Sequence, residues 1–407
     1  MRVISDFHIH SKYSRATSRD MEIPSISKWA KIKGIDLVGT GDFTHPDWLK
    51  EIKSYLKEYE EGIYEFDGVY FILSAEINLI FSFKGKSRKV HICLLAKSFE
   101  DVEKLNRAFS EYGELSIDGR PILPFNCIEF TKLIKDLTPD TFIYPAHAWT
   151  PWFGIFGSVT GFDSLEEAFG NEIKYIHAIE TGLSSDPPMN WLVSKLDKFS
   201  LLSNSDAHSP AHLGREANVF QIDLNYDELI DSIIKKDKNR FLFTIEFFPE
   251  EGKYHFDGHR NCGVSMSPEE SIKIKNICPN CHKPMTLGVL HRVYELKDRD
   301  KIDNNNFIPY KSVIPLMEII SQALEKNESS KVVQDEYSKI IGKFDNEFNV
   351  LIFLPINEMA GKMDDRILKL IKNMREGKVI KKAGFDGEFG KIEVIFDKEE
   401  EKPPSLF

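Results

Sequence analysis

From residue 1 to about residue 245, short apolar runs alternate with helical patterns, and no other feature restricts the fold of this chain so tightly. Strands are predicted at Arg2–His8, Leu37–Gly39, Val69–Ile77, Val90–Ala96, Thr141–Ala146, Ala178–Thr181 and Leu201–Ser203. Helical periodicity falls between them at Pro24–Lys33, Trp48–Tyr59, Glu100–Phe109 and Asn190–Phe199. Such alternation implies a parallel sheet or a barrel, because each strand must be returned by a crossover helix. With 407 residues the chain exceeds one average core, so further domains are expected after this one.

Three regions follow from the change of pattern: residues 1–245 as a hydrolase-like α/β domain, 246–300 as a small metal-stabilised module, and 301–407 as an α+β region. The middle segment is rich in His, Cys, Gly and Pro and poor in helical periodicity, so its stability must come from elsewhere. In the last region helices are expected at Val313–Leu324, Lys331–Gly342 and Asp364–Arg375, and strands at Val350–Leu354 and Ile392–Phe396. A glycine-spaced turn, Gly384–Gly390, precedes the final strand, and the tail from Asp397 reads as frayed.

The chemistry begins with His8-Ile9-His10 on the first strand. Residues two apart in a strand share a face, so both imidazoles present to one point, as a metal requires. Asp206-Ala207-His208 repeats this geometry late in the domain. Asp42, His45, Glu76, His91 and His147 stand at or near the ends of other strands. In an α/β barrel those ends form the active face. Imidazole and carboxylate suit Zn, Mn or Fe. Glu76 is the natural bridging carboxylate, and Asp206 the candidate to hold the nucleophile. Arg215 reads equally as a bidentate phosphate clamp or as a structural cation.

A second constellation, His255-x3-His259-x2-Cys262 followed by Cys278-Pro-Asn-Cys281, has structural zinc spacing. The expected ligands are His259, Cys262, Cys278 and Cys281, with His255, His282 and His291 as alternatives for the fourth. An odd total of five cysteines argues against a disulfide framework.

Charge alone selects no partner. The net charge of −11 is unusual for a nucleic-acid binder, but bound divalent ions would override many of the carboxylates. No run of about 20 apolar residues is available for a membrane span, and Met1–His10 lacks a signal-peptide pattern, so a cytoplasmic location is expected.

The ordered set His8-x-His10, Thr40-Gly41-Asp42…His45, Glu76, His91, His147 and Asp206-x-His208 resembles the motifs of the polymerase and histidinol phosphatase (PHP) superfamily. It departs from them where Phe43 and Thr44 separate Asp42 from His45. The resemblance implies a distorted (β/α)7 barrel that binds up to three metals. Longer runs, among them Ser5–Arg15, Gly39–Pro46, Ala146–Gly154 and Glu180–Asp186, together with the zinc segment, are similar to endonuclease Q. That resemblance implies a metal-dependent endodeoxyribonuclease of DNA repair. It would cut 5′ of a deaminated base (uracil, hypoxanthine or xanthine) or an abasic site. Zn²⁺ is expected in the module and in the active site, with Mg²⁺ or Mn²⁺ as alternatives in the latter.

The runner-up is a small-molecule phosphomonoesterase acting on histidinol phosphate or a nucleotide. An enzyme selecting a damaged base must take it out of the stack. The aromatic segment after His147 supplies candidates for a base pocket or wedge in Trp149, Trp152, Phe153 and Ser158. The chain is expected to act as a monomer, with a sliding clamp as a further candidate partner, although Ser405-Leu406-Phe407 makes no clean clamp-binding motif.

Overall fold

The computed structural model describes residues 1–396, so the expectations for the tail and for clamp binding lie outside the described residues. A mixed sheet of eleven strands organises the molecule. At its centre Arg2–Asp6, whose Val3 to Asp6 are all buried, runs parallel to Leu37–Gly39 and antiparallel to Ala217–Gln221. Leu37–Gly39 is in turn parallel to Val69–Phe83. There the regular alternation stops. Val69–Phe83 turns through Lys84-Gly85, both at positive φ, into the antiparallel Lys86–Ala96, which pairs with Phe142–Pro145. Two left-handed residues in succession form the turn whose twist matches a tight hairpin.

Ala178–Glu180 and Ser200–Leu202 form a separate parallel pair. On the other flank Ala217–Gln221 pairs with Phe241–Glu246, which takes Tyr310–Ser312 as a parallel neighbour. The sheet therefore draws a strand from beyond residue 300.

Helices cover the sheet where local chemistry starts and stops them. Ser98 caps Phe99–Ser110, and Asn126 with Glu129 forms a reciprocal capping box on Cys127–Leu137. Gly34, at φ 89°, ends Ile23–Lys33 in the left-handed conformation that glycine adopts without penalty. Val102, Leu105 and Phe109 recur at helical spacing and bury against the sheet. The same continuous core includes Ile319, Val333, Ile340, Ile367 and Ile371 of the C-terminal helices. A buried ion pair between Lys33 and Glu347, 2.7 Å apart, joins the two regions.

Three expected elements differ. Val350–Leu354 is a π-helical turn over Asn349–Phe353, not a strand. Its wide turn frees carbonyls, and the Arg375 guanidinium takes those of Val350, Leu351 and Leu354 at 2.7–2.9 Å. Trp48–Tyr59 is a helix only over Pro46–Tyr55, because Lys57–Glu60 joins the sheet edge. Asn190–Phe199 breaks into Pro187–Trp191 and a 3-10 turn, Ser194–Leu196. Asn190 is turned inward there, accepting from Trp149 Nε1 and donating to Ser185 Oγ. Among the described residues no helix is long and apolar enough to cross a membrane.

Candidate metal centre and its surroundings

His8 and His10 follow directly on the first strand, and His10 is held by its amide donating to the Ala207 carbonyl at 3.0 Å. That contact brings the two His-containing pairs together across the sheet. Glu76 and His91 project from the long hairpin, where Glu76 faces Cys93 and Asn78 faces His91. Directly paired residues point to one side, so all four share a face.

Four overlapping groups of donor atoms result: His8, His10 and Glu76; Glu76, His91 and His147; His10, Asp206 and His208; and, on the outer side of His8, His8, Cys93 and Glu180. Glu76 Oε1 lies 2.6 Å from His91 Nδ1 and 3.0 Å from His147 Nε2. Its Oε2 faces His10 Nε2 at 3.5 Å, and His10 Nε2 is 2.8 Å from Asp206 Oδ1. Asp42, His147 and Asp206 all adopt positive φ, which costs energy for residues other than glycine and clusters at functional sites.

The donor set fits divalent cations. His8 Nε2, His10 Nε2, Glu76 Oε2 and Asp206 Oδ1 converge, are buried, and have no hydrogen-bond partner. Leaving such atoms unsatisfied costs about 1–3 kcal/mol each, which a shared cation removes. Outer partners fix the ring orientations. Glu180 accepts from His8 Nδ1 at 3.0 Å, and Asp42 accepts from His10 Nδ1 at 3.1 Å, so each Nε2 keeps its lone pair for the centre. Burial works against a charged imidazole, but Asp42 and Asp206 raise His10 to about 9. For Asp206, too, burial is outweighed, and His8 and His10 hold its carboxyl well below the usual range. Burial, opposed by Glu76 and reinforced by His147 and Arg120, lowers His91.

Several expectations need correction. His45 does not join the donors: its Nδ1 accepts from the Trp48 amide as a helix cap, and its Nε2 donates to the Ser116 carbonyl at 3.1 Å. Asp42 reaches the centre only through His10, since Ser11 and Ser14 occupy its second oxygen. His45 thereby anchors the 114–122 loop, which packs against Asp42. The Thr44 hydroxyl donates to the Gly119 carbonyl, and Gly119 packs so closely that a Cβ would lie 2.4 Å from Asp42 Oδ2. Thr44, between Asp42 and His45, therefore serves as a loop anchor, while Phe43 is buried in the core.

Arg215 is also elsewhere. It lines a cavity with Glu251, Glu318 and Phe247, between the sheet region and the C-terminal helices. Arg120 is the cation whose charge reaches His91 and His208. Of the expected base-pocket residues, Trp149 is 1% exposed and bonded to Asn190, which makes it core. Ser158 is exposed, and Trp152 meets Tyr254 edge-on near the cysteine-rich module. The segment is a folded lid, because Arg292 pins the Phe156 and Phe162 carbonyls. Only Phe153 packs on His91, with ring centroids 4.5 Å apart.

Glu180, Arg120 and Asn78 were missed. A carboxylate ending the apolar run Ala-Ile-Glu was a legible signal for Glu180, the same that marked Glu76. Asn78 lies two residues from Glu76 on one strand. Arg120 sits in a loop without periodicity and gave no signal.

Away from this centre, His259, Cys262, Cys278 and Cys281 converge within one group. His259 ends the hairpin strand Asp257–His259, and Cys281 Sγ lies 3.4 Å from its Nδ1. Burial raises the Cys278 thiol, but the amides of Cys281 and Asn280 bring it down to about 7, favouring thiolate. His282 is exposed, His291 is bound to Asp257 at 2.6 Å, and buried His255 stands outside the group. The Gly384–Gly390 turn braces this module, with Asp386 accepting from the Arg260 amide and the Thr286 hydroxyl.

The fold recurs in solved structures. The lesion-specific endonuclease PfuEndoQ from Pyrococcus furiosus is 33% identical, with a TM-score of 0.88 over 97% of this chain and 96% of that one. The chain belongs to the endonuclease Q family. A structure of endonuclease Q with a 27-mer duplex carrying an abasic lesion at the active site matches at 33% identity and TM-score 0.84, covering 97% of each chain. Residues 315–378 match the family model of the MJ0043 C-terminal domain. MJ0043 of Methanocaldococcus jannaschii is 34% identical over 252 residues, 60% of this chain but 31% of its own length. Membership in the endonuclease Q family thus rests on the full chain, whereas the MJ0043 match covers a part of each protein.

Proposed function

We propose that this chain is a DNA repair endonuclease that hydrolyses the phosphodiester 5′ of a deaminated base (uracil, hypoxanthine or xanthine) or an abasic site. The observation that carries the reading is the convergence of four buried, unpartnered donor atoms in a chain that matches a lesion-bound nuclease along its length. His8, His10, Glu76, His91, His147, Asp206 and His208 would hold divalent ions, for which the imidazole-rich set favours Zn²⁺ or Mn²⁺ over Mg²⁺. Such ions, once bound, would supply a water acidic enough to ionise near neutral pH and charge to balance the phosphoryl oxygens.

The remaining chemistry belongs to the chain. Glu180 and Asp42 hold the imidazoles in place. Asp206, whose side chain is 30% exposed, is the acid open to substrate and orients the attacking water. Arg120 replaces Arg215 as the cation facing the phosphate.

The strands are read as a distorted (β/α)7 barrel whose hairpin and separate pair interrupt regularity. The three-part division at 1–245, 246–300 and 301–407 is retained, with Tyr310–Ser312 crossing back into the sheet. The cysteine-rich module binds structural zinc through His259, Cys262, Cys278 and Cys281. A cytoplasmic monomer, with a sliding clamp as a further candidate partner, completes the reading.

The test incubates the chain and Asp206→Asn with duplexes holding uracil, hypoxanthine or an abasic site, with Mn²⁺, Zn²⁺ or Mg²⁺, and maps the cut. Arg120→Ala and Arg215→Ala are run alongside. Incision immediately 5′ of the lesion, lost in Asp206→Asn and reduced far more by Arg120→Ala than by Arg215→Ala, supports the assignment. Release of phosphate from small phosphomonoesters without incision refutes it in favour of a phosphatase.

A further inference from the structure

The lid over residues 149–162 touches two of the metal-centre donors. Its Thr150 hydroxyl donates to the His147 carbonyl at 3.0 Å and accepts from His147 Nδ1 at 2.9 Å, so Nε2 keeps its lone pair toward Glu76. Its Phe153 carbonyl accepts from the His91 amide at 2.8 Å, and the Phe153 ring backs the His91 ring. One segment therefore aims two of the three donors in the Glu76, His91 and His147 group. Phe153 stands at φ 68° and His147 at φ 26°, conformations that such residues keep only where their surroundings hold them.

That hold comes from two sides. Asn190 fixes the start of the lid through Trp149. Arg292 fixes its far half. Its Nε donates to the Phe156 carbonyl at 3.0 Å, and one terminal nitrogen donates to the Phe162 carbonyl at 3.1 Å and to the Asp163 carboxylate. The side chain is 13% exposed, and Glu295 of the same helix accepts from the other terminal nitrogen. A planar, pre-organised fork makes several such bonds at little cost in freedom.

The helix that carries Arg292, Val289–Leu296, belongs to the cysteine-rich module. Asp257 holds its start, accepting from the Gly288 amide at 2.7 Å and from His291 Nδ1 at 2.6 Å. Asp257 opens the short strand that ends at His259, a member of the module's donor group. Fixed contacts thus run from that group to the lid, and from the lid to His91 and His147.

We propose that Arg292 is a positioning residue through which the module keeps the Glu76, His91 and His147 group in shape for a divalent ion. This rests on the metal-centre reading. Without the fork the far half of the lid loosens, Phe153 relaxes, and both imidazoles lose what aims them. The His10, Asp206 and His208 group is held instead by Asp42 and by the Ala207 carbonyl, and keeps its geometry.

The experiment titrates Mn²⁺ by calorimetry, well below the melting temperature, into full-length chain stripped of active-site metal but keeping its module zinc. Arg292→Ala and Asp257→Asn should each weaken one class of Mn²⁺ site by about 10- to 100-fold, the usual effect of removing a partner behind a ligand. The other class should not change. In a His147→Ala background, where that site is already lost, Arg292→Ala should add nothing. Arg292→Lys keeps the charge without the fork and should weaken the same site by less.

A merely structural arginine would lower the melting temperature and leave every Mn²⁺ affinity as it was. That result in Arg292→Ala or Asp257→Asn overturns the inference, as does an additive double variant. Should the alanine variant not fold, wild-type affinity in Arg292→Lys overturns it equally. A wild type that binds no Mn²⁺ overturns the metal-centre reading as well.

Discussion

Replacing Glu180 by Gln removes one charge and almost no volume, yet the surroundings leave the amide no good orientation. The Glu180 carboxylate accepts from His8 Nδ1 at 3.0 Å, from the His147 amide at 2.9 Å and from Asn204 Nδ2 at 2.9 Å. A glutamine keeps one acceptor oxygen and gains an NH₂ that must face one of these donors. The His147 amide cannot turn. Asn204 cannot flip, because its Oδ1 already accepts from the Phe7 amide and from Asn218 Nδ2. The clash therefore falls on a fixed donor, or His8 changes tautomer and places its proton on the Nε2 that serves the centre.

The first outcome costs about 1–3 kcal/mol of stability, the usual price of a buried unsatisfied donor. The second weakens metal binding by about 10- to 100-fold, or roughly 1.4–2.7 kcal/mol. Thermal unfolding without metal measures the first, and Mn²⁺ titration by calorimetry measures the second. A variant with both the wild-type melting temperature and the wild-type Mn²⁺ affinity would refute the reasoning, because Glu180 would then neither satisfy the fixed donors nor govern the His8 lone pair.

Three further outcomes are expected. Gly119→Ala should lose about 1–3 kcal/mol and most incision activity, since its Cβ would stand 2.3 Å from Ser14 Oγ beside Asp42; melting curves and incision rates check both. Burial raises the Glu246 carboxyl to about 8, so it keeps its proton in the fold while the unfolded chain loses it above about 4.5. Wild-type stability should thus fall between pH 5 and 8, by up to about 1.4 kcal/mol per pH unit from this group, and Glu246→Gln should show a flatter melting profile over that window. Cys278→Ser should lose one bound zinc per chain and open residues 246–300 to proteolysis, because the module's own apolar core is little more than Val264, Cys278 and Met285. Metal analysis and limited digestion decide that point.

Most of the centre was legible because strand chemistry is periodic. His8 and His10, or Asp206 and His208, share a face by the two-residue repeat whatever the rest of the chain does. The apolar runs fixed the central strands nearly to the residue, as Leu37–Gly39 shows. Cysteine spacing likewise marked the residues that converge in the module, since a knuckle closes over a few residues.

Tertiary structure decided what local pattern leaves free. His45 and Asp42 sit one turn apart in sequence, yet His45 binds an irregular loop that only the folded chain brings near, while Asp42 turns to His10. Trp149 reads like Phe153 in sequence, but Asn190 and Arg292 pull the lid inward and leave Phe153 alone against His91. Arg215 follows the last donors closely in sequence yet lines a separate cavity, while Arg120, from a distant loop, is the arginine whose charge reaches His91 and His208. Sequence proximity sets direction over two to four residues; beyond that, long-range packing chooses which side chains meet.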